Sequence, residues 1–145
     1  MKKEKKYIVI LVIFILAILA SGILSFVSIE QACGGTQTGC YAVNTSQYEK
    51  TLGIKNGYIG LVVFSILAII TSLHIRNPSK SKKRIIITGI ILGTLFALYF
   101  LYIQFFVLKA ICKYCMVIDL GMLINLGIIM FWKDTEDLNS LKWTN

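Results

Sequence analysis

Four long apolar segments constrain the fold of this chain more than any other feature. They cover about residues 7–28, 57–75, 85–108 and 112–132 of the 145. A helix needs roughly 20 apolar residues to cross the hydrocarbon core of a bilayer. In lipid, every backbone polar group must be paired within the segment, so such segments form helices. The sequence therefore predicts an all-α integral membrane protein, a bundle of four transmembrane helices that forms a single domain over residues 1–145.

The basic residues give the chain a formal net charge of +8, and most of them lie in residues 2–6 and 76–84. Lysine and arginine mark the cytoplasmic loops of membrane proteins, so we expect both termini in the cytoplasm and no nucleic-acid partner. The N-terminus resembles the start of a signal peptide, but its apolar stretch is long and no convincing cleavage site follows, so we expect it to be retained. His74 is expected to be an exposed residue at the cytoplasmic end of the second span.

The loop after the first span then lies outside the cytoplasm. It contains the glycine-rich segment Cys33–Cys40, followed by Ser46-Gln47-Tyr48-Glu49 and Gly53. Serine followed three residues later by glutamate is a capping box that starts a helix, and glycine commonly ends one. We therefore expect a short amphipathic lid helix in this loop. The polar tail from Lys133 onward is expected to fray or to lie on the membrane surface.

The fourth span opens with the motif Cys112-Lys113-Tyr114-Cys115. Unpaired N–H groups and the positive dipole end of a helix N-terminus stabilise a thiolate. Lys109 and Lys113 would add positive charge there, or would serve only as anchors at the membrane interface. A pair of this kind is expected to be reactive in thiol–disulfide exchange.

Both cysteine pairs, Cys33 with Cys40 and Cys112 with Cys115, are predicted at the extracytoplasmic side, where disulfides persist. Electrons could then pass from one pair to the other, with the flexible loop pair acting as a shuttle. Four cysteines allow three pairings. The alternatives are static structural disulfides, or a zinc site formed by both pairs, in a membrane subunit that is not an enzyme.

These features together resemble the vitamin K epoxide reductase family, in its short bacterial form without a thioredoxin-like domain. The resemblance covers nearly the whole chain: four spans, a cysteine pair after the first, and C-x-x-C at the start of the last. Cys40 is followed six residues later by Ser46, and Leu52-Gly53-Ile54 and Asn56-Gly57-Tyr58-Ile59-Gly60 lead into the second span.

The resemblance implies a quinone pocket near the outer face of the bundle. Cys112 and Cys115 would be the active-site pair, with Cys115 next to the quinone and Cys112 exchanging with the loop. Cys33 and Cys40 would be the shuttle pair, and a Cys40–Cys112 mixed disulfide the transfer intermediate.

Three further residues are candidates for the quinone site. Ser46 would match a pocket serine, with helix capping as the alternative role, and Asn56 would match an asparagine that hydrogen-bonds a quinone carbonyl in some members. Asp119 stands where some members have a tyrosine. An ionisable residue inside a span is a functional candidate, so Asp119 would either exchange a proton with the quinone or pair with a buried donor.

The function that follows is a membrane thiol:quinone oxidoreductase. It would reoxidise a separate extracytoplasmic thioredoxin-fold (DsbA-like) protein, pass the electrons to menaquinone or ubiquinone in the membrane pool, and so support disulfide formation. The alternative activity is a quinone or vitamin K epoxide reductase for which the quinone is the valued product.

Overall fold

The computed structural model describes residues 2–132. Its helices are α1 (Lys2–Phe26), α2 (Ile29–Cys33), α3 (Gly39–Asn44), α4 (Asn56–Arg76), α5 (Lys80–Tyr102) and α6 (Lys113–Phe131). The other elements are the 3₁₀ turn Gln47–Glu49, the strands β1 (Lys50–Thr51) and β2 (Ile54–Lys55), and the π turn Ile103–Val107. The tail expected to fray lies outside the described residues.

The four long helices confirm the predicted fold class. Helices α1, α4 and α6, and α5 with the π turn that extends it, are each long and apolar enough to cross a membrane. The third helix begins at Lys80, about five residues earlier than predicted. Lysine and arginine are good helix formers, so the basic connection continues directly into the apolar helix.

Helix α1 packs against α4 and α6, and α5 packs against α6 and α4. The largest fully buried apolar side chains in this packing are Phe14, Ile10, Ile86, Ile90 and Met122. In a membrane, small residues let helices approach closely and gain van der Waals contact. The α1–α4 contact depends on this, because a Cβ at Gly57 would lie 2.9 Å from Ser25 Oγ and one at Gly60 would lie 2.8 Å from Ser21 Oγ.

The loop between α1 and α4 contains short helices, but not where the capping pattern indicated. Residues Ser46–Glu49 give only a 3₁₀ turn, in which the Ser46 side chain makes no capping hydrogen bond. Its Oγ donates instead to the carbonyl of Val43, at 2.7 Å. Gly53 lies in the turn of the hairpin formed by β1 and β2, with φ of 83°. The short helix expected from Ser46 to Gly53 is therefore replaced by the 3₁₀ turn and the hairpin, and the helices of this loop, α2 and α3, lie before Ser46.

His74 is buried, contrary to the expectation of an exposed boundary residue. Only 7% of its surface is exposed. Its ring centroid lies 4.4 Å from that of Tyr7 in α1, and its Nδ1 accepts a hydrogen bond from the Ser79 N–H at 3.4 Å. The histidine therefore takes part in packing at the end of the bundle opposite the cysteines.

Candidate functional site

Three of the four cysteines meet in one buried cluster at the loop end of the bundle. Cys33 and Cys40 form a disulfide that joins the end of α2 to the start of α3. Cys112 and Cys115 are free thiols, and Cys112 is fully buried. The Sγ of Cys112 lies 3.8 Å from the Sγ of Cys40. The structure therefore brings the two pairs into contact through Cys40 and Cys112.

Cys112 is the N-cap of α6, and its sulfur accepts hydrogen bonds from two sides. The Cys115 N–H donates at 3.3 Å and the Asn44 side-chain amide donates at 3.2 Å. The Cys115 thiol also donates a hydrogen bond to Cys112, and together these donors lower the pKa of Cys112 to about 6, although burial raises it. Neither Lys109 nor Lys113 is among the groups that lower this pKa. These hydrogen bonds therefore favour the thiolate form of Cys112.

A cavity of about 400 Å³ lies between the loop and the four long helices. Its volume is within the range of small-molecule sites, about 300–1,000 Å³. Its walls are largely apolar, and Cys115 is the cysteine that lines it. The polar residues that also line it are Ser21, Asn44, Ser46, Tyr48, Glu49, Thr51, Asn56, Gln104 and Asp119. Cys115 thus lies between the cysteine cluster and a space that a small apolar ligand would fit.

Gln104 links Cys112 to Asp119 across the top of the bundle. It belongs to the π turn Ile103–Val107, an irregularity that is frequent at functional sites. Its Nε2 donates to Asp119 Oδ2 at 3.1 Å, and its Oε1 accepts from the Cys112 N–H at 3.0 Å. Asp119 follows Cys115 by one helical turn on the same face. A carboxyl group with a buried partner is therefore positioned on the cavity wall beside Cys115.

The Vitamin K epoxide reductase family model matches residues 8–130 of the 145-residue chain. The chain belongs to this family. The matched range includes both cysteine pairs and nearly all of the four spanning helices. Membership implies an oxidoreductase; enzymes of this family use quinones and generally work with thioredoxin-like partners. A search of the curated proteins found no match.

Ser46 and Asn56, which the resemblance to the vitamin K epoxide reductase family singled out, both line the cavity. Asn56 also anchors the hairpin to the start of α4. Its Nδ2 donates to the carbonyl of Tyr48 at 2.8 Å, and its Oδ1 accepts from Thr51 Oγ1 at 2.6 Å. A side-chain amide carries two N–H hydrogens, so the bond to Tyr48 uses only one of them.

Sequence reasoning missed the polar residues Asn44, Gln104 and Ser21 of this site, as well as Tyr48, Glu49 and Thr51 of the loop. Gln104 could have been found, because a polar residue within an apolar span is unusual. Ser21 is also a polar residue within an apolar span, but serine is a weaker indication of a site than glutamine. Asn44 gave no signal, since asparagine is common in polar loops, and only the formation of α3 brings it to the sulfurs.

Proposed function

We propose that this protein is a membrane thiol:quinone oxidoreductase that reoxidises a separate extracytoplasmic thioredoxin-fold protein. The observation that carries the proposal is the order of the sulfurs. The Cys33–Cys40 disulfide lies in the loop, Cys112 lies 3.8 Å from Cys40, and Cys115 lines the cavity. This order gives a continuous route for thiol–disulfide exchange from the loop to the cavity.

The first transfer takes two electrons from the partner to the loop. A thiolate of the reduced partner attacks the Cys33–Cys40 disulfide, and the second partner thiol then resolves the mixed disulfide. The partner leaves oxidised, and Cys33 and Cys40 are left as thiols. Cys33 and Cys40 are both buried. Because thiol exchange needs the attacking thiolate to reach the sulfur, we expect α2 and α3 to move before the partner attacks.

The second transfer moves the two electrons to the pair on α6. Cys40 attacks Cys112 of a Cys112–Cys115 disulfide, so the Cys40–Cys112 bond forms and Cys115 leaves as a thiolate. Cys33 then attacks Cys40, the loop disulfide forms again, and Cys112 leaves. The arrangement with an oxidised loop and two free thiols at Cys112 and Cys115 corresponds to the end of this transfer.

The residues that line the cavity fit a quinone head group, an apolar ring that carries polar oxygens. The hydroxyl of Ser21 is buried and has no hydrogen-bond partner among residues 2–132. Ser46, Asn56 and Asp119 add polar groups on other parts of the wall. We propose that these four residues hold the quinone, with Cys115 beside it. A bound quinone would accept two electrons and two protons as the Cys112–Cys115 disulfide forms.

The proposal is tested by counting thiols in purified, detergent-solubilised protein that has been fully reduced and freed of reductant. A short-chain menaquinone or ubiquinone is added under nitrogen, and maleimide-reactive thiols and quinol are followed over time. We expect thiol loss matched by quinol formation in the parent protein and neither in Cys115→Ala.

Cys33→Ala is the matched control, because it removes a loop sulfur and leaves the pair on α6 intact. It should still reduce quinone. If Cys115→Ala reduces quinone at the parent rate, the role of Cys115 is refuted. If the parent thiols persist with both quinones, the proposed function itself is wrong.

A further inference from the structure

Asn44 contacts the two sulfurs between which the proposed second transfer takes place. Its Nδ2 lies 3.2 Å from the Sγ of Cys112 and 3.8 Å from the Sγ of Cys40. The same Nδ2 donates to the carbonyl of Cys40 at 2.9 Å, one turn earlier in α3. Asn44 itself is buried, with 7% of its surface exposed. A single amide group therefore bonds to the backbone of one helix and to the reactive sulfur of another.

The bond to the Cys40 carbonyl is an ordinary local interaction, because asparagine, serine and threonine often bond to the backbone four residues earlier. Thr45 does the same, since its Oγ1 donates to the carbonyl of Tyr41 at 2.8 Å. Thr45, however, is exposed and faces away from the cluster. The contact with Cys112 is what distinguishes Asn44, because it joins α3 to the N-cap of α6.

We propose that Asn44 is a catalytic residue of the disulfide transfer between the loop and α6, where its amide stabilises the Cys112 thiolate and holds it against Cys40. The direction of electron flow in this proposal rests on the proposed function. The hydrogen bond from Asn44 to Cys112 does not depend on it.

The chemistry of the transfer explains why a donor is useful at this position. When Cys33 attacks Cys40 of the mixed disulfide, the Cys33–Cys40 bond forms, the Cys40–Cys112 bond breaks, and both electrons of the broken bond stay on Cys112. A sulfur with a lower thiol pKa leaves faster in such an exchange. The Asn44 N–H is already within hydrogen-bond distance of the sulfur that receives this charge.

The lowered pKa of Cys112 agrees with this role, because the Asn44 side chain is one of the groups that lower it. Cys115 and Tyr114 of α6 and Tyr41 of α3 are titratable groups packed against the cluster of Cys33, Cys40 and Cys112, and Asp119 is close enough to interact electrostatically with Cys112. Any titration of Cys112 must therefore be compared between variants that leave these groups unchanged.

The test is a thiolate titration of Cys112 in a Cys115→Ser background, in which the serine hydroxyl keeps a donor next to Cys112. Ultraviolet absorbance reports thiolate formation as the pH is raised, because the thiolate absorbs more strongly than the protonated thiol. Protein with both Cys112→Ser and Cys115→Ser provides the baseline. Non-reducing peptide mapping establishes that the Cys33–Cys40 disulfide is intact in each sample.

Asn44→Thr is the informative variant, because threonine can keep the backbone bond to Cys40 but is too short to donate to Cys112. A hydrogen bond to a charged group contributes enough to shift a pKa by about one to two units. We therefore expect the midpoint in Asn44→Thr to lie about one to two units above that of the background protein. Thr45→Val, which removes the neighbouring backbone bond, is the matched control and should leave the midpoint unchanged.

If Asn44→Thr and Thr45→Val titrate at the same pH, the proposal is wrong. If Asn44→Thr does not fold, Asn44→Ala replaces it, since alanine has no side-chain donor and adds no charge beside Cys112. An unchanged midpoint in Asn44→Ala refutes the proposal equally. Because the titration uses neither quinone nor partner, its result is independent of the assay that tests the proposed function.

Discussion

At the scale of single residues, Cys112 and Cys115 differ in what surrounds them although they are one turn apart. Cys112 contacts Cys40 and receives hydrogen bonds from Asn44 and from the start of α6. Cys115 lines the cavity. The same C-x-x-C motif thus presents one sulfur to the loop and the other to the cavity, which is the separation that the proposed relay requires.

Asp119 is the residue on which the first prediction depends. Asp119→Asn keeps an oxygen that can accept the hydrogen bond from Gln104, but it cannot give or take a proton. Positioned acid–base groups typically contribute a factor of 10²–10⁴ to a rate. We therefore expect quinone reduction by the reduced protein to slow by on the order of 10²-fold, measured as quinol formed per unit time.

The exchange reaction of the loop provides the control for Asp119→Asn. Reduction of the Cys33–Cys40 disulfide by a small dithiol should proceed at the parent rate, because it involves no quinone. If quinone reduction stays within about two-fold of the parent rate, Asp119 serves only as the hydrogen-bond partner of Gln104.

The site could be predicted from the sequence to the extent that its chemistry is visible in residue type. All four cysteines were identified, and Asp119 was noticed because a carboxyl group is rare inside a span. Asn44 and Gln104 were not predicted, because their importance comes from hydrogen bonds that residue type alone does not show. The hydrogen bonds from Asn44 to Cys112 and from Cys112 to Gln104 join residues separated by 68 and 8 positions.

At the scale of secondary-structure elements, the hairpin of β1 and β2 contains a backbone conformation that its sequence does not favour. Leu52 and Gly53 form its turn, with φ of 55° and 83°. Two-residue hairpin turns with positive φ at both positions prefer Asn-Gly, and a left-handed conformation costs an ordinary L-residue about 1–2 kcal/mol. We expect Leu52→Asn to stabilise the protein by about 0.5–1 kcal/mol, measured as a higher midpoint of thermal unfolding in detergent.

Leu52 is also 98% exposed, so Leu52→Asn removes an exposed apolar side chain as well as changing the backbone preference. A control must separate these two effects on stability. Leu52→Ala removes most of that side chain and keeps the Cβ that disfavours positive φ. It should not raise the unfolding midpoint. Equal stabilisation by alanine and asparagine would mean that the backbone conformation of the turn is not the cause.

The long helices were predictable because apolar length alone determines them. The structure of the loop was not predictable, because it depends on hydrogen bonds and strand pairing that a local sequence pattern does not show. The capping-box pattern at Ser46 was overridden by a hydrogen bond to Val43 and by the hairpin that follows.

At the scale of the whole molecule, the two ends of the bundle are chemically different. The cysteines and the cavity lie at the end that holds the loop, and the basic connection between α4 and α5 lies at the other end. Basic connections remain in the cytoplasm, so we propose that the loop faces the extracytoplasmic side.

Labelling of single cysteines tests this orientation in a background that lacks the four native cysteines. Lys50→Cys on the hairpin should react with a membrane-impermeant maleimide in intact cells. Ser79→Cys, which is equally exposed to solvent at the other end, should react only after the cells are opened. The opposite pattern would place the cysteine pairs in the cytoplasm and remove the basis for an extracytoplasmic partner.

The connection from Gln104 to Cys112 has a consequence for how the chain tolerates changes in length. Surface loops usually accept insertions at little cost. Here the main-chain carbonyl of Gln104 accepts from the Ala110 N–H at 3.0 Å, and its side chain accepts from the Cys112 N–H. One added or deleted residue would break both bonds and turn Cys112 away from Cys40. This connection therefore acts as a spacer of fixed length, and the tip of the hairpin is the better place for an inserted tag.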